Sequence, residues 1–265
     1  MCAIRLIVSD LDGTLLSPDN GLTDSVIMAV SKFVKQGGLF TIATGRPFLT
    51  AAVYETELKL ELPYILCNGS VIAQKGKILE SRSFEIGEMA LLLQEADRAM
   101  VDVLLFQEER ISVFRSSEAI SHFEMKENIG CFVVEKDSAA WLEEPVQKLI
   151  LMGDMDVIRE LWVKHSPVFG SRYAVFQSED NYLEIIPGDQ SKGAALRRLA
   201  GMLDIRPHEI MALGNQMNDL DMIRYAGIGV TVANGHKDLK AAADYVCTAG
   251  YGDGVVEAME RFCGI

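Results

Sequence analysis

The chain has 265 residues, 49% hydrophobic and 24% charged, a balance that suits a globular protein of more than one typical domain. Its formal net charge of −13 argues against DNA or RNA as a partner, although a small phosphorylated ligand stays compatible if a metal offsets the charge locally. The cysteines Cys2, Cys67, Cys131, Cys247 and Cys263 are odd in number, scattered and free of any CxxC pair. The expectation is therefore a reducing cytoplasm, with no disulfide framework and no zinc site.

Leu6-Ile7-Val8 is a short β-branched run that reads as a buried strand of a parallel sheet. It leads into Asp10-Leu11-Asp12-Gly13-Thr14-Leu15, so Asp10 and Asp12 fall beyond the carboxyl end of a strand, where ligands bind in such sheets. Two carboxylates one residue apart repel each other, and a hard cation such as Mg²⁺ relieves the conflict. No signal-like segment precedes this strand, and no apolar stretch is long enough to span a bilayer.

A helix opens at Leu22-Thr23-Asp24, with Val26, Ile27, Val30, Phe33 and Val34 as its apolar stripe and Gly37-Gly38 as its stop. Leu39–Ala43 is a second strand, ending at Thr44-Gly45-Arg46-Pro47. The following helix carries Leu49, Val53, Tyr54 and Leu58. Tyr64–Cys67 is a third strand, ending at Asn68-Gly69, and a hairpin turns at Lys75-Gly76. This β-α-β-α-β order predicts a doubly wound parallel sheet.

From about Phe84 the pattern changes. Strands near 101–106, 111–114, 131–134, 148–152, 173–177 and 182–186 alternate with helices such as 155–165, which predicts an α+β insert with an antiparallel sheet. After Pro187-Gly188 the first style returns. Helices are read at 191–203, 220–226 and 255–262, and strands at 209–213, 228–230 and 245–247. The reading is a core of residues 1–83 and 188–265 interrupted by an insert over 84–187.

Three further segments fall at strand ends or helix starts of the core. Thr44-Gly45 offers a hydroxyl and free amides at a helix start, although Thr44 alone reads as a cap. Lys192 opens a helix against the helix dipole, which makes sense if it faces a phosphate or Asp10. Asn218 and Asp219 follow a core strand and open a helix; on their own they read as caps. Their shared sheet edge makes a site the better reading. His122, His165, His208 and His236 show no catalytic spacing.

With these segments together, the sequence resembles the haloacid dehalogenase superfamily, in its Cof-type sugar-phosphatase-like branch with a type IIB cap. DLDGTLL, ATGRP, Asn68-Gly69, Ser191-Lys192-Gly193 and GNQMNDLDMI match its ordered motifs, and Ala233-Asn234 and Asp253-Gly254-Val255 resemble its late signatures. The resemblance implies an α/β fold, a Rossmann-like core with an inserted α+β cap that selects the substrate. It implies Asp10 as nucleophile, Asp12 as general acid and base, and an aspartyl-phosphate intermediate. Leu11, Thr44, Gly45, Lys192 and Asn218 would bind the phosphoryl oxygens, and Asp10, Asp12, Asn215 and Asp219 would hold Mg²⁺. Asn215 departs from the family's usual Asp and removes one negative charge. The implied activity is a Mg²⁺-dependent phosphatase of small metabolites, sugar phosphates first. A phosphomutase of the same fold and a phosphate-binding regulatory protein are the alternatives. Asn181, Glu184 and Arg46 are candidate substrate contacts, and the expected assembly is a monomer or weak homo-oligomer without nucleic acid or membrane.

Overall fold

A computed structural model describes residues 4–136, 138 and 140–265; Cys2 lies outside the described residues. In chain order the elements are β1 (Leu6–Ser9), α1 (Asp24–Lys35), β2 (Leu39–Ile42), α2 (Phe48–Leu58), β3 (Tyr64–Leu66), β4 (Val71–Gln74), β5 (Lys77–Ser81) and α3 (Ala90–Arg98). They continue as β6 (Asp102–Phe106), β7 (Ile111–Val113), α4 (Glu118–Glu127), β8 (Cys131–Val133), α5 (Ala140–Glu143), β9 (Lys148–Met152), α6 (Met155–Phe169), β10 (Tyr173–Glu179) and β11 (Tyr182–Pro187). The chain closes with α7 (Lys192–Met202), β12 (Ile210–Gly214), α8 (Leu220–Tyr225), β13 (Ile228–Thr231), α9 (Lys237–Ala242), β14 (Tyr245–Val246) and α10 (Tyr251–Cys263). Two compact units result. One holds residues up to Arg46, Ala51–Leu79 and Ser191–Ile265; the other holds Pro47–Thr50 and Glu80–Gln190.

The first unit is built on a parallel sheet in the order β14-β13-β12-β1-β2. Leu6 and Val8 of β1 and Ile210 and Ala212 of β12 share one face, as a period of two requires, and pack on Leu196 and Leu199 of α7 and Met222 and Ile223 of α8. Thr23 caps α1 by accepting from the Val26 amide. The stripe of α1 is narrower than the sequence suggests: Val26, Val30 and Phe33 are buried, whereas Val34 is exposed. In α2 the buried apolar positions are Ala51, Tyr54 and Leu58, three and four apart; Leu49 and Val53 fall off that face and are exposed.

The third strand also differs from its expected place. β3 is not a ladder strand of the parallel sheet. It pairs antiparallel with β4 in a separate three-stranded sheet with β5, and touches the end of β2 through one parallel bridge, Ala43 to Ile65. The apolar run Tyr64–Leu66 identifies a strand, but periodicity does not say which neighbour it takes.

The second unit carries a six-stranded sheet in the order β10-β11-β9-β6-β7-β8. All its pairs are antiparallel except β7 and β8, which are parallel and joined through α4. Val103, Leu105, Leu149, Leu151, Leu183 and Ile185 face Leu92, Leu93, Trp141 and Ile158. Leu104, Phe106, Ile150 and Met152 face Ile120 and Phe123 of α4. Strands β6 and β9 are therefore covered on both faces, which is why residues 103–106 and 149–152 read as unbroken apolar runs. Among the described residues no helix is long and apolar enough to cross a membrane.

Leu196 is fully buried between α7 and the parallel sheet. Leu196→Ala is expected to lower stability by ~2–5 kcal/mol through lost burial and the cavity left behind, read as a lower urea midpoint by circular dichroism.

Candidate active site

The site begins with register. Ser9 of β1 lies beside both Ile42 of β2 and Leu213 of β12. The residues that follow, Asp10, Ala43 and Gly214, leave the same sheet edge together. The Asp10 amide donates to the Leu213 carbonyl and the Ala43 amide to the Ser9 carbonyl, both at 2.9 Å. Three motifs far apart in sequence, DLDGTL, ATGRP and GNQMND, are thereby made neighbours.

Residues 11–15 form a tight loop closed by a hydrogen bond from the Leu16 amide to the Leu11 carbonyl at 3.0 Å. Gly13 turns it, with φ +75°; a Cβ there would stand 2.1 Å from Asn215 Nδ2. The loop returns Thr14 to Asp10, and Thr14 Oγ1 donates to Asp10 Oδ2 at 2.8 Å. Asn234 Nδ2 donates to the Gly13 carbonyl at 2.8 Å and so braces the loop from the β13 side. Neither Thr14 nor Asn234 has an assigned role in the sequence reading. The signal for Thr14 was its place four residues after Asp10 across a glycine.

Lys192 is almost wholly buried, and its Nζ lies 2.6 Å from both Asp10 Oδ1 and Asp219 Oδ1. Its helix starts there, capped by Ser191 Oγ accepting from the Ala194 amide. Gly69 lets two segments of the chain meet: a Cβ on it would stand 2.1 Å from the Ser191 carbonyl oxygen. The lysine at a helix start is thus explained by Asp10, one of its two expected partners. The other oxygen of Asp219 accepts from the amides of Asn215 and Gln216 at 2.9 and 3.0 Å. Asp219 therefore orders the loop after β12 and anchors Lys192 at once.

Burial, and then the Asp219 charge, push the Asp10 carboxyl up to about 7 against the pull of Lys192, with Asp12 adding to the rise. Burial opposes the charge on Lys192, yet Asp10 and Asp219 hold its ammonium above the usual lysine value. Counting Arg46, three carboxylates face two cations, so the edge remains short of positive charge.

Arg46 grips Asp12. Its Nε lies 3.1 and 3.0 Å from the two carboxylate oxygens, and its Nη2 lies 2.7 Å from Oδ1. Thr44 is buried, and its hydroxyl oxygen accepts from the Arg46 amide at 3.1 Å. Leu11 and Gly45 occupy the loops after β1 and β2. Asn218 Nδ2 donates to Asn68 Oδ1 at 2.9 Å, which explains the buried Asn68. Asn215 is 7% exposed, and no side-chain hydrogen bond engages its amide among the described residues. That uncommitted amide oxygen, the buried Asp10 and the shortage of positive charge suit a hard cation. No cluster of three or more His, Cys, Asp or Glu side chains gathers for a metal among the described residues, so the set depends on amide and carbonyl oxygens. Of the other candidate substrate contacts, Glu184 is buried in the second unit, accepting from Ser178 and paired with Lys148 at 3.3 Å, and Asn181 lies in the turn between β10 and β11.

A family model described as haloacid dehalogenase-like hydrolase matches residues 7–259. The chain belongs to this family. It is 28% identical to an HMP-PP phosphatase of Cronobacter sakazakii, over 93% of this chain and 90% of that protein. It is 26% identical to a 5-amino-6-(5-phospho-D-ribitylamino)uracil phosphatase of Bacillus subtilis, over 97% of this chain and 98% of that protein. A chloroplastic endoribonuclease YBEY of Arabidopsis thaliana matches at 26% over 97% of this chain, which spans 46% of that longer protein. The solved structure of a haloacid dehalogenase-like hydrolase from Bacteroides thetaiotaomicron superposes with a TM-score of 0.85 at 25% identity, covering 97% of this chain and 99% of its own.

Lys192→Met leaves Asp10 and Asp219 buried without their shared cation. The variant is expected to lose ~3–5 kcal/mol, measured by urea unfolding at neutral pH against the native chain.

Proposed function

We propose that this hydrolase cleaves the phosphomonoesters of small metabolites, sugar phosphates first, by way of an aspartyl-phosphate on Asp10. The coarser part, a phosphoric monoester hydrolase, stands on the family match and on full-length relatives named as phosphatases. The observation that carries the finer part is the buried Asp10, held by Lys192 and Thr14 at the strand edge with the more exposed Asp12 two residues away. A buried carboxylate held on both oxygens is oriented for attack, and carboxylates form such covalent intermediates.

In this reading the Asp10 carboxylate forms a bond to phosphorus while the ester P–O bond breaks. Asp12 gives its proton to the leaving oxygen and later takes one from the water that hydrolyses the acyl phosphate. Lys192, Thr44, Asn218 and the amides of Leu11 and Gly45 hold the phosphoryl oxygens. Asp10, the Asp12 carbonyl and Asn215 would hold Mg²⁺, with Asp219 contributing through a water because its own oxygens are already engaged. When bound, the ion would supply the missing positive charge against phosphate and carboxylates. Phosphoryl transfer needs mainly positioning and charge neutralisation, and this set provides both. The second unit acts as the cap that selects the leaving group, and the setting is the cytoplasm.

The test is phosphate release from an aryl phosphate over a Mg²⁺ titration. The native chain is expected to turn over only with metal, and Asp10→Asn to lose at least ~10³-fold in kcat. Asn215→Asp is expected to reach half-maximal rate at a lower Mg²⁺ concentration. Turnover that survives Asp10→Asn would refute the mechanism; an inert native chain revived by Asn215→Asp would point to a binding protein.

A further inference from the structure

Arg46 is one of the candidate substrate contacts, and its guanidinium grips Asp12. Both carboxylate oxygens are engaged, through Nε at 3.1 and 3.0 Å and Nη2 at 2.7 Å. The exposures are unequal: the Arg46 side chain is 10% exposed and that of Asp12 44%. The cation is the fixed end of the pair. Its amide donates to Thr44 Oγ1 at 3.1 Å, and its carbonyl accepts from the Cys67 amide at 3.0 Å. The guanidinium lies 5.4 Å from the centre of the Tyr54 ring, and the Tyr54 hydroxyl donates to the Asn20 carbonyl at 3.2 Å.

A half-exposed ion pair contributes little to stability. What this pair does supply is direction. Asp12 sits in a loop two residues from Asp10, and two like charges that close repel each other. A planar fork binding both oxygens fixes the plane of the carboxylate as well as its position, which an ammonium does not.

We propose that Arg46 is a positioning residue, which holds the Asp12 carboxyl in the pose from which it protonates the leaving group. The inference rests on the phosphatase reading above. In the step concerned, the ester P–O bond breaks with its electrons going to the leaving oxygen, the Asp12 proton moves to that oxygen, and the Asp10–phosphorus bond forms. An aryl leaving group needs little help from an acid; an alkyl alcohol needs much.

The experiment is kcat/KM for phosphate monoesters running from p-nitrophenyl to simple alkyl, in the native chain, Asp12→Asn, Arg46→Lys and Tyr54→Leu. This parameter reports the steps up to phosphoenzyme formation and excludes its hydrolysis. Arg46→Lys is expected to lose ~30-fold or more on alkyl phosphates and under ~3-fold on p-nitrophenyl phosphate, part of the ~10²–10⁴ that a positioned acid supplies. The dependence on leaving-group basicity would steepen toward that of Asp12→Asn, and Tyr54→Leu would steepen it less. If Arg46→Lys does not fold, the slope in Tyr54→Leu decides. An equal loss across the series with a raised KM would make Arg46 a substrate contact and overturn the proposal. An unchanged slope with a lower Tm would overturn it as merely structural. A native chain that hydrolyses none of the esters would sink the phosphatase reading itself, and this inference with it.

Discussion

The structure turns on one buried ammonium. Lys192 Nζ joins Asp10, at the end of the first strand, to Asp219, at the start of a helix more than two hundred residues later. Burying three ionised groups carries a desolvation cost that a single salt bridge seldom offsets. Here the cost is tolerated because the second oxygen of each carboxylate also has partners: Asp10 Oδ2 takes the Thr14 hydroxyl, and Asp219 Oδ2 takes two backbone amides. The same bonds hold the loop after β1, the loop after β12 and the start of α7 together. What remains is a carboxylate with fixed geometry and too little positive charge around it. A divalent cation would correct that deficit and let an anionic ester approach.

The second constraint is the parallel register of β1, β2 and β12. It requires no catalytic residue, yet it brings three loops to one edge. The glycines at this edge act through close approach. Gly13 makes room for Asn215, and Gly69 for the Ser191 carbonyl. Asn215 lies in the loop after β12 with its amide uncommitted, so it offers an oxygen without a charge.

Much of this was legible in the sequence, because the strand runs were short, apolar and bounded by turn residues. Lys148–Met152 was read to the residue, and the polar motifs after the core strands showed where the edge lay. The pairing of strands was less legible. Tyr64–Leu66 reads as a strand wherever it goes, and only the structure turns it into an antiparallel partner of β4. The parallel β7–β8 pair inside an otherwise antiparallel sheet was equally silent. Side-chain partners across long separations were the least legible. Nothing in the spacing of Asp12 and Arg46, or of Asn68 and Asn218, says that they meet: the parallel register brings the first two loops together, and the Ala43–Ile65 bridge sets the end of β3 and Asn68 beside them. The α10 start was also missed: the helix begins at Tyr251, so Asp253-Gly254 lie in its first turn instead of ahead of it.

The central claim is that the phosphoryl group passes through Asp10. The direct measurement is mass spectrometry of peptides from the enzyme acid-quenched during turnover with an aryl phosphate, with borohydride reduction to mark the acyl phosphate. The account predicts a phosphoryl adduct on Asp10, converted to homoserine at that position by borohydride and absent in Asp10→Asn. Full turnover with no adduct at any time, or an adduct on another residue, would contradict it.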